Sequence, residues 1–479
     1  MTTNTNPTID ELAAQFGVNR RKLQFKIDIN IVPAICILYL LAFLDRVNIS
    51  NAAVYGMSKD LGLVGNQYNI ALTIFFVPYI ICEIPSNYLL KRFKPHTWLS
   101  SCMICFGAVT IGQGFVQNFG QLVATRFLLG LCEAGMFPGC FYLLAMWYTR
   151  SESQTRWSFF FASTTLAGAF GGLIAYGIHS LEGAHGLEGW RWIFIIEGAV
   201  TSFCAIVLFW VIADFPEDSK FLKENEREYI KAKLTLDAGD SKSESSLTLK
   251  SAAKIFKDWK VWLSGFAYFG CVIPAYGYAY FATSIIKSFG HTPIHTQIMS
   301  VYPWICAFGW SMGLAYASSF CKNRFFFCLS SFVIAIAGFG ILLGEKININ
   351  VRYGSLFLVA SGLYGAMPIL VCWTNMNFSG HQRRAVGTGW QVGFGNIGGI
   401  IATFSFIAKD APFYIKGISI AISMTCFSMI CCVIYLLGLM RDNKSKANGT
   451  WMLSAEWENM TAEEKAIAGD LDPNFRYNY

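Results

Sequence analysis

Apolar runs and short polar breaks alternate along the whole chain, and about twelve of the runs are long. Each approaches the ~20 residues that an α-helix needs to cross ~30 Å of hydrocarbon. The first six cover residues 29–50, 68–90, 98–116, 122–148, 158–178 and 192–213; the second six cover 262–286, 298–320, 325–344, 356–376, 387–407 and 415–440. Because the runs are continuously apolar rather than apolar at every second residue, they read as helices and not as strands of a closed barrel. A polar stretch over 214–260 separates six spans from six. The expected fold class is therefore an all-α membrane protein with twelve transmembrane helices in two six-helix halves. Its divisions are a cytoplasmic tail (1–28), a first bundle (29–213), a cytoplasmic central loop (214–260), a second bundle (261–440) and a cytoplasmic tail (441–479).

Composition agrees. With 54% hydrophobic and 14% charged residues over 479 positions, the chain lacks the charge that a soluble protein of this size carries on its surface. Lys and Arg in the short segments set the orientation: leaving aside 214–260 and the tail beyond 451, those on the side of the N-terminus hold sixteen and the opposite loops seven. The positive-inside rule then places both termini in the cytoplasm. The net charge of +7 is accounted for by anionic inner-leaflet lipid and calls for no nucleic acid. The first twenty residues are polar and no cleavable signal peptide is visible. Nearly all fifteen Cys fall in or beside the spans and read as small buried hydrophobes rather than disulfide partners. Sequons at Asn48, Asn377 and Asn448 lie in or beside spans or in the cytoplasmic tail, where glycosylation is not expected.

The halves echo one another. Lys91-Arg92-Phe93-Lys94 after span two answers Lys322-Asn323-Arg324 after span eight, and Gln154-Thr155-Arg156 before span five answers Gln382-Arg383-Arg384 before span eleven. Parallel halves of this kind belong to transporters that bind substrate at mid-membrane and rock around it.

Against this background a few charges stand out. A charge at the bilayer centre costs roughly 2.5–3.5 kcal/mol even on the lenient insertion scale, so such groups face one another or a water-filled path. Asp45 and Arg46 end the apolar run that begins at Ile31, and Arg126 and Glu133 share span four. At 1.5 Å per residue, Asp45 sits in the outer half of its helix, at a depth where Arg126 can meet it. Glu133 lies two turns past Arg126 on the same helical face. Arg46 has the guanidinium fork that takes a carboxylate at two points. The structural alternative is a buried brace between Arg126 and Glu133. Glu83, beside Pro85 and Asn87, reads as a gate or cap; Glu197, placed near the outer surface, leans towards structure. Tyr79, Ser163, Thr164, Gln391 and Asn396 are candidate substrate contacts, although such groups also join helices. Tyr276, Tyr280, Tyr302 and Trp304 are compatible with stacking on a ring. Gly168, Gly171, Gly172, Gly393, Gly395, Gly398 and Gly399 read as packing seams, not phosphate loops.

At these residues a resemblance enters. Leu44-Asp45-Arg46-Val47-Asn48-Ile49, the stretch Arg126-Phe127-Leu128-Leu129-Gly130-Leu131-Cys132-Glu133-Ala134-Gly135 and Gly189-Trp190-Arg191-Trp192 through Glu197-Gly198 resemble the anion:cation symporter family of the major facilitator superfamily, over essentially 28–479. Ser58-Lys59-Asp60-Leu61 and Phe170-Gly171-Gly172 look like the fungal allantoate, nicotinate and pantothenate permeases; Ala408-Lys409-Asp410-Ala411-Pro412-Phe413 and the tail from Asn474 look closest to nicotinate permeases. The resemblance implies the major facilitator fold, a plasma-membrane location and proton-coupled uptake of a carboxylate-bearing organic anion, with no cofactor and no metal. It further implies Arg126 as the anion contact, Glu133 as the coupling carboxylate and Asp45 as a second proton carrier; from the residues themselves, Arg46, Tyr79, Ser163, Gln391 and Asn396 are the expected further substrate contacts. The loop after span two departs from the superfamily pattern: where Gly and Asp are usual, this chain has Asn87-Tyr88-Leu89-Leu90-Lys91-Arg92. Gating is therefore assigned to Glu83, Lys91 and Arg92.

Rival classes are a membrane enzyme, a nutrient sensor and a passive uniporter. The six His are scattered through loops and boundaries with no nucleophile, base or metal constellation around them. A sensor on the same fold is separated by uptake of labelled substrate, and a uniporter by a protonophore.

Overall fold

The computed structural model describes residues 9–238, 253–321, 323–379, 381–451, 459–461 and 469–479. All twelve apolar runs are helical. In the first half the helices are Arg20–Val54, Gln67–Arg92, Pro95–Gln113, the pair Phe119–Glu133 and Met136–Trp147, Arg150–Ile178 and Gly189–Val211. The second half holds Trp259–Ser288, Pro293–Cys321, Arg324–Leu342, Ile349–Met376, His381–Ser405 and Ile415–Ala447. Among the described residues nine helices are long and apolar enough to cross a membrane, and Gln67–Glu83 forms a shorter apolar one. The central stretch contributes a further helix, Glu224–Ala238.

Span four departs from the single helix expected over 122–148. It breaks at Ala134 and Gly135. Pro138 has no N–H to return to the Ala134 carbonyl, so the helical ladder loses a rung just beyond Glu133. That break sits beside the chemistry described in the next subsection.

Spans one, two and five of the first half pack against seven, eight, ten and eleven of the second, with two against eleven and five against eight. The glycine runs make these approaches possible. A Cβ at Gly172 would lie 2.9 Å from Ser300 Oγ and 3.1 Å from the Gln297 carbonyl, and one at Gly168 would enter the Trp304 ring. The sequence reading of these glycines as seams agrees with these contacts.

The repeat visible in the sequence has a structural counterpart on the face that carries both termini. In the first half Arg156 clasps Asp28 with Nε at 3.0 Å and Nη2 at 2.5 Å. About 230 residues later Arg383 holds Asp258 through Nη2 alone and gives its two-point grip, through Nε and Nη2, to Asp470. Burial raises both carboxyls Asp258 and Glu152, but Lys260 and Arg383 hold Asp258 below its usual range and Lys233 does the same for Glu152. The second half adds a third element, its own C-terminal segment. Asp470 is fully buried and takes Arg383 Nε at 2.6 Å. Lys446 Nζ donates to the carbonyls of Asp470 at 2.6 Å and Asp472 at 2.9 Å, and Trp373 Nε1 donates to the Asn478 carbonyl at 2.9 Å.

Candidate transport site

Arg46 lies at the centre of the molecule, where span one meets span seven. Its guanidinium is 1% exposed and donates through Nε, at 3.1 Å, and through Nη2 to Glu133 Oε1. Its Nη1 donates to the Tyr276 hydroxyl of span seven. Three rings enclose it, with centroids at 5.0 Å (Phe75), 4.9 Å (Tyr79) and 5.8 Å (Tyr276). A desolvated cation gains from aromatic faces as well as from its carboxylate, so this is a tightly held pair. The sequence left open a structural brace between Glu133 and Arg126 on the same helix. The partner of Glu133 is Arg46, because the side chain of Glu133 crosses to span one at the break before Gly135.

Arg126 sits one layer further from the termini and is fully buried. Its Nη2 donates to the Arg46 carbonyl at 3.0 Å, while Nε and Nη1 have no hydrogen-bond acceptor. Its polar surroundings are Tyr280 and Tyr68, whose hydroxyls are also without a hydrogen-bond partner, and then Glu133 and Arg46. A guanidinium with two of its donors unfilled in a dry interior is costly unless an anion completes it.

On the termini side of Arg46 lies a cavity lined by Tyr39, Phe43, Arg46, Tyr79, Phe137, Thr164, Tyr268, Val272, Ala275, Tyr276, Tyr364, Met367, Val392 and Asn396. Its water-accessible volume is about 20 Å³, room for a water and not for a metabolite. The halves are tied together on the face away from the termini. Asn69 Nδ2 donates to the carbonyls of Thr403 and, at 3.1 Å, Phe406; Thr73 and Thr403 hydroxyls meet at 2.6 Å; Lys287 Nζ donates to the Val54 carbonyl at 2.8 Å. A substrate exchanges through that face only when these contacts part.

The other candidates from the sequence are distributed unevenly. Arg46, Tyr79, Thr164 and Asn396 line the cavity; Arg126, Glu133, Ser163 and Gln391 do not. Ser163 spends its hydroxyl on the Phe160 carbonyl, and Gln391 Oε1 accepts from Thr374 at 2.8 Å, both within their own half. Tyr302 is 53% exposed and Trp304 is packed on Gly168, so neither offers a ring to the cavity. Glu83 is buried and faces Gly393 of span eleven across the seam between the halves. Arg92 is exposed at the end of its helix, and the side chain of Lys91 lies outside the described residues. Asp45, adjacent to Arg46, turns the other way, towards Thr201 and Thr110 in the interior of the first half. Glu197, read from the sequence as a structural group near the outer membrane surface, is 1% exposed. Tyr276 as partner of Arg46 was missed, although the repeat held the signal: the two are 230 residues apart, the offset that relates the halves.

Two helical halves packed about a central polar layer and closed on one face define a secondary transporter, and the comparisons with known proteins agree. Residues 35–403 match the model of the Major Facilitator Superfamily, and the chain belongs to that superfamily. It is 32% identical to the high-affinity nicotinic acid transporter of Saccharomyces cerevisiae over 464 residues, covering 95% of this chain and 84% of that protein. It is 33% identical to an uncharacterised transporter of Schizosaccharomyces pombe over 461 residues, covering 95% and 90%. Among solved structures, a superfamily proton:xylose symporter bound to 6-bromo-6-deoxy-D-glucose superposes with a TM-score of 0.68 at 13% identity, over 85% of this chain and 94% of that one.

Proposed function

We propose that this transporter belongs to the anion:cation symporters and takes up a small carboxylate-bearing organic anion together with protons. Nicotinate-like acids come first and allantoate-like nitrogen sources second. The observation that carries the reading is Arg126, a fully buried guanidinium with Nε and Nη1 unfilled and two tyrosine hydroxyls beside it. A carboxylate fits both donors at once, and the phenols supply the further hydrogen bonds that its remaining lone pairs accept. The cavity is closed here to the size of a water, and its aromatic lining around Tyr79, Tyr276 and Tyr364 suits a planar ring once the halves part and widen it. The name of the yeast relative points to the same substrate class. In this reading the membrane is the plasma membrane and the termini face is cytoplasmic, as the loop charges require.

Coupling follows from the shared carboxylate. Glu133 is bonded to Arg46 and is a charged neighbour of Arg126. A proton on Glu133 breaks its ion pair and leaves two guanidinium groups to be balanced by the substrate, so proton and anion favour one another's binding. Glu83, at the seam with Gly393, serves as a gate on the termini side together with Lys91 and Arg92. Uptake of labelled nicotinate by cells lacking their own permeases, compared between the native chain and Arg126→Lys, tests the reading. Lys keeps the charge but loses the fork. Native uptake that falls sharply in this variant supports it, and unimpaired uptake by the variant removes Arg126 as the anchor.

A further inference from the structure

On the face that carries the termini, the segment following the last helix of each half is stitched back onto that half at matching places. In the first half this segment is 214–238, and in the second it is 469–479. The residues that receive it correspond at an offset of about 230. At the start of span three Lys94 pairs with Asp218 at 3.2 Å; at the start of span nine the Arg324 N–H donates to a main-chain oxygen of Tyr479 at 2.9 Å. At the end of span four Trp147 Nε1 donates to the Asp214 carbonyl at 3.1 Å; on span ten Trp373 Nε1 donates to the Asn478 carbonyl at 2.9 Å. Near the start of span five Glu152 holds Lys233 at 2.8 Å; near the start of span eleven Arg383 holds Asp470 at 2.6 Å. Near the start of span one Lys26 pairs with Glu226 at 2.7 Å; at the start of span seven Lys260 lies 3.9 Å from Asp470 and 4.9 Å from the centre of the Tyr477 ring. Each of these partners belongs to the same half as its segment. Apolar contacts seat both segments as well, with Leu222, Tyr229 and Ile230 buried in the first half and Tyr477 in the second.

Helices in hydrocarbon have no hydrophobic drive towards one another, so polar stitching at their water-facing ends adds cohesion to a bundle. We propose that 214–238 and 469–479 are paired collars, one to each half. They make the termini-side ends of spans one, three, four and five, and of seven, nine, ten and eleven, swing as two units when the carrier rearranges. The C-terminal segment is thus a working part of the transporter. The collars are fastened unequally. Lys94 and Asp218 are exposed, and such a pair contributes little. Asp470 and Arg383 are buried, and removing one partner of a buried pair is strongly felt. A single change therefore opens the second collar more readily than the first. The inference rests on the transporter class alone and not on the identity of the anion.

Amide hydrogen exchange on full-length protein in lipid nanodiscs compares the native chain, Asp470→Asn and Lys233→Met. Asp470→Asn should speed exchange about tenfold or more at the termini-side ends of spans seven, nine, ten and eleven together, with native rates in the first half. Lys233→Met should loosen the first half only. Faster exchange confined to 469–479 itself makes that segment a passenger and overturns the proposal. In vesicles, both variants should take up labelled nicotinate at a lower maximal rate with KM unchanged, because neither collar touches Arg126 or the cavity. A raised KM at the native maximal rate also overturns it. The pair Asn377→Cys and Asn478→Cys guards against misfolding, since it fixes the segment where the two residues already meet at 2.8 and 3.0 Å and leaves Asp470 in place. Once oxidised, with the native chain treated alongside, this pair should leave uptake intact, and combined with Asp470→Asn it should restore the native exchange pattern. Loss of uptake in the oxidised pair means that the segment must leave its seat in every cycle, and the collar fails. If the native chain takes up no nicotinate, the substrate reading fails and the exchange pattern still decides the collar.

Discussion

Asp45 and Arg46 are neighbours in sequence and, about 100° apart around one helix, face different partners, and much of the chemistry follows from that. Their charges were legible from the apolar run that they interrupt, because hydrocarbon tolerates no idle charge. Their partners were not. Pairing depends on which face of each neighbouring helix looks inward, and depth arithmetic along a helix carries no rotation between helices. Thus Glu133 went to Arg46 rather than Arg126, and Asp45 to the interior of the first half. Two outcomes test the roles at this scale. Arg126→Lys should raise the KM for a carboxylate substrate by about tenfold or more, the worth of a charged hydrogen bond in a dry site, with the protein still present in the membrane; KM from initial uptake rates is the readout. Glu133→Gln, which imitates the protonated acid, should keep exchange of labelled for unlabelled substrate but lose pH dependence and uphill uptake. A normal pH profile in that variant reduces Glu133 to a structural partner of Arg46.

Helices and their ends were the most readable part of the chain, since run length and polar breaks mark them directly. The exceptions have local causes. Span four is interrupted where Pro138 removes a donor, a signal present in the sequence and passed over because hydropathy does not register it. The docking of the C-terminal segment was invisible, because Asp470, Tyr477 and Asn478 look like an ordinary polar tail until Arg383, Lys446 and Trp373 are brought under them. Asp470→Ala leaves Arg383 and Lys260 short of a buried counter-charge. Losing one partner of such a network costs about 3–5 kcal/mol. The variant should show a clearly lowered thermal midpoint in detergent, measured by scanning fluorimetry, whereas Asp10→Ala, whose pair with Arg20 is exposed, should not.

At the scale of the whole molecule, the repeat explains both what the sequence offered and what it withheld. An arginine–aspartate pair stands at corresponding places in each half, Asp28 with Arg156 and Asp258 with Arg383, and the two related bodies meet along spans one, two, five, seven, eight, ten and eleven. Contacts on the face away from the termini hold them shut there. A disulfide between Asn69→Cys and Thr403→Cys should therefore abolish uptake, and reduction should restore it; full uptake by the oxidised pair contradicts alternating access through that face. The central claim is that a buried guanidinium takes a carboxylate whose entry is driven by protons. Its most direct measurement is accumulation of labelled nicotinate in vesicles containing the purified protein, with an imposed inward proton gradient. Accumulation above the external concentration, collapsing to equilibration on addition of a protonophore, is the result that the paired and unpaired arginines require. Concentrative uptake that survives the protonophore, or no uptake of any small carboxylate across a panel of vitamins and nitrogen sources, contradicts it.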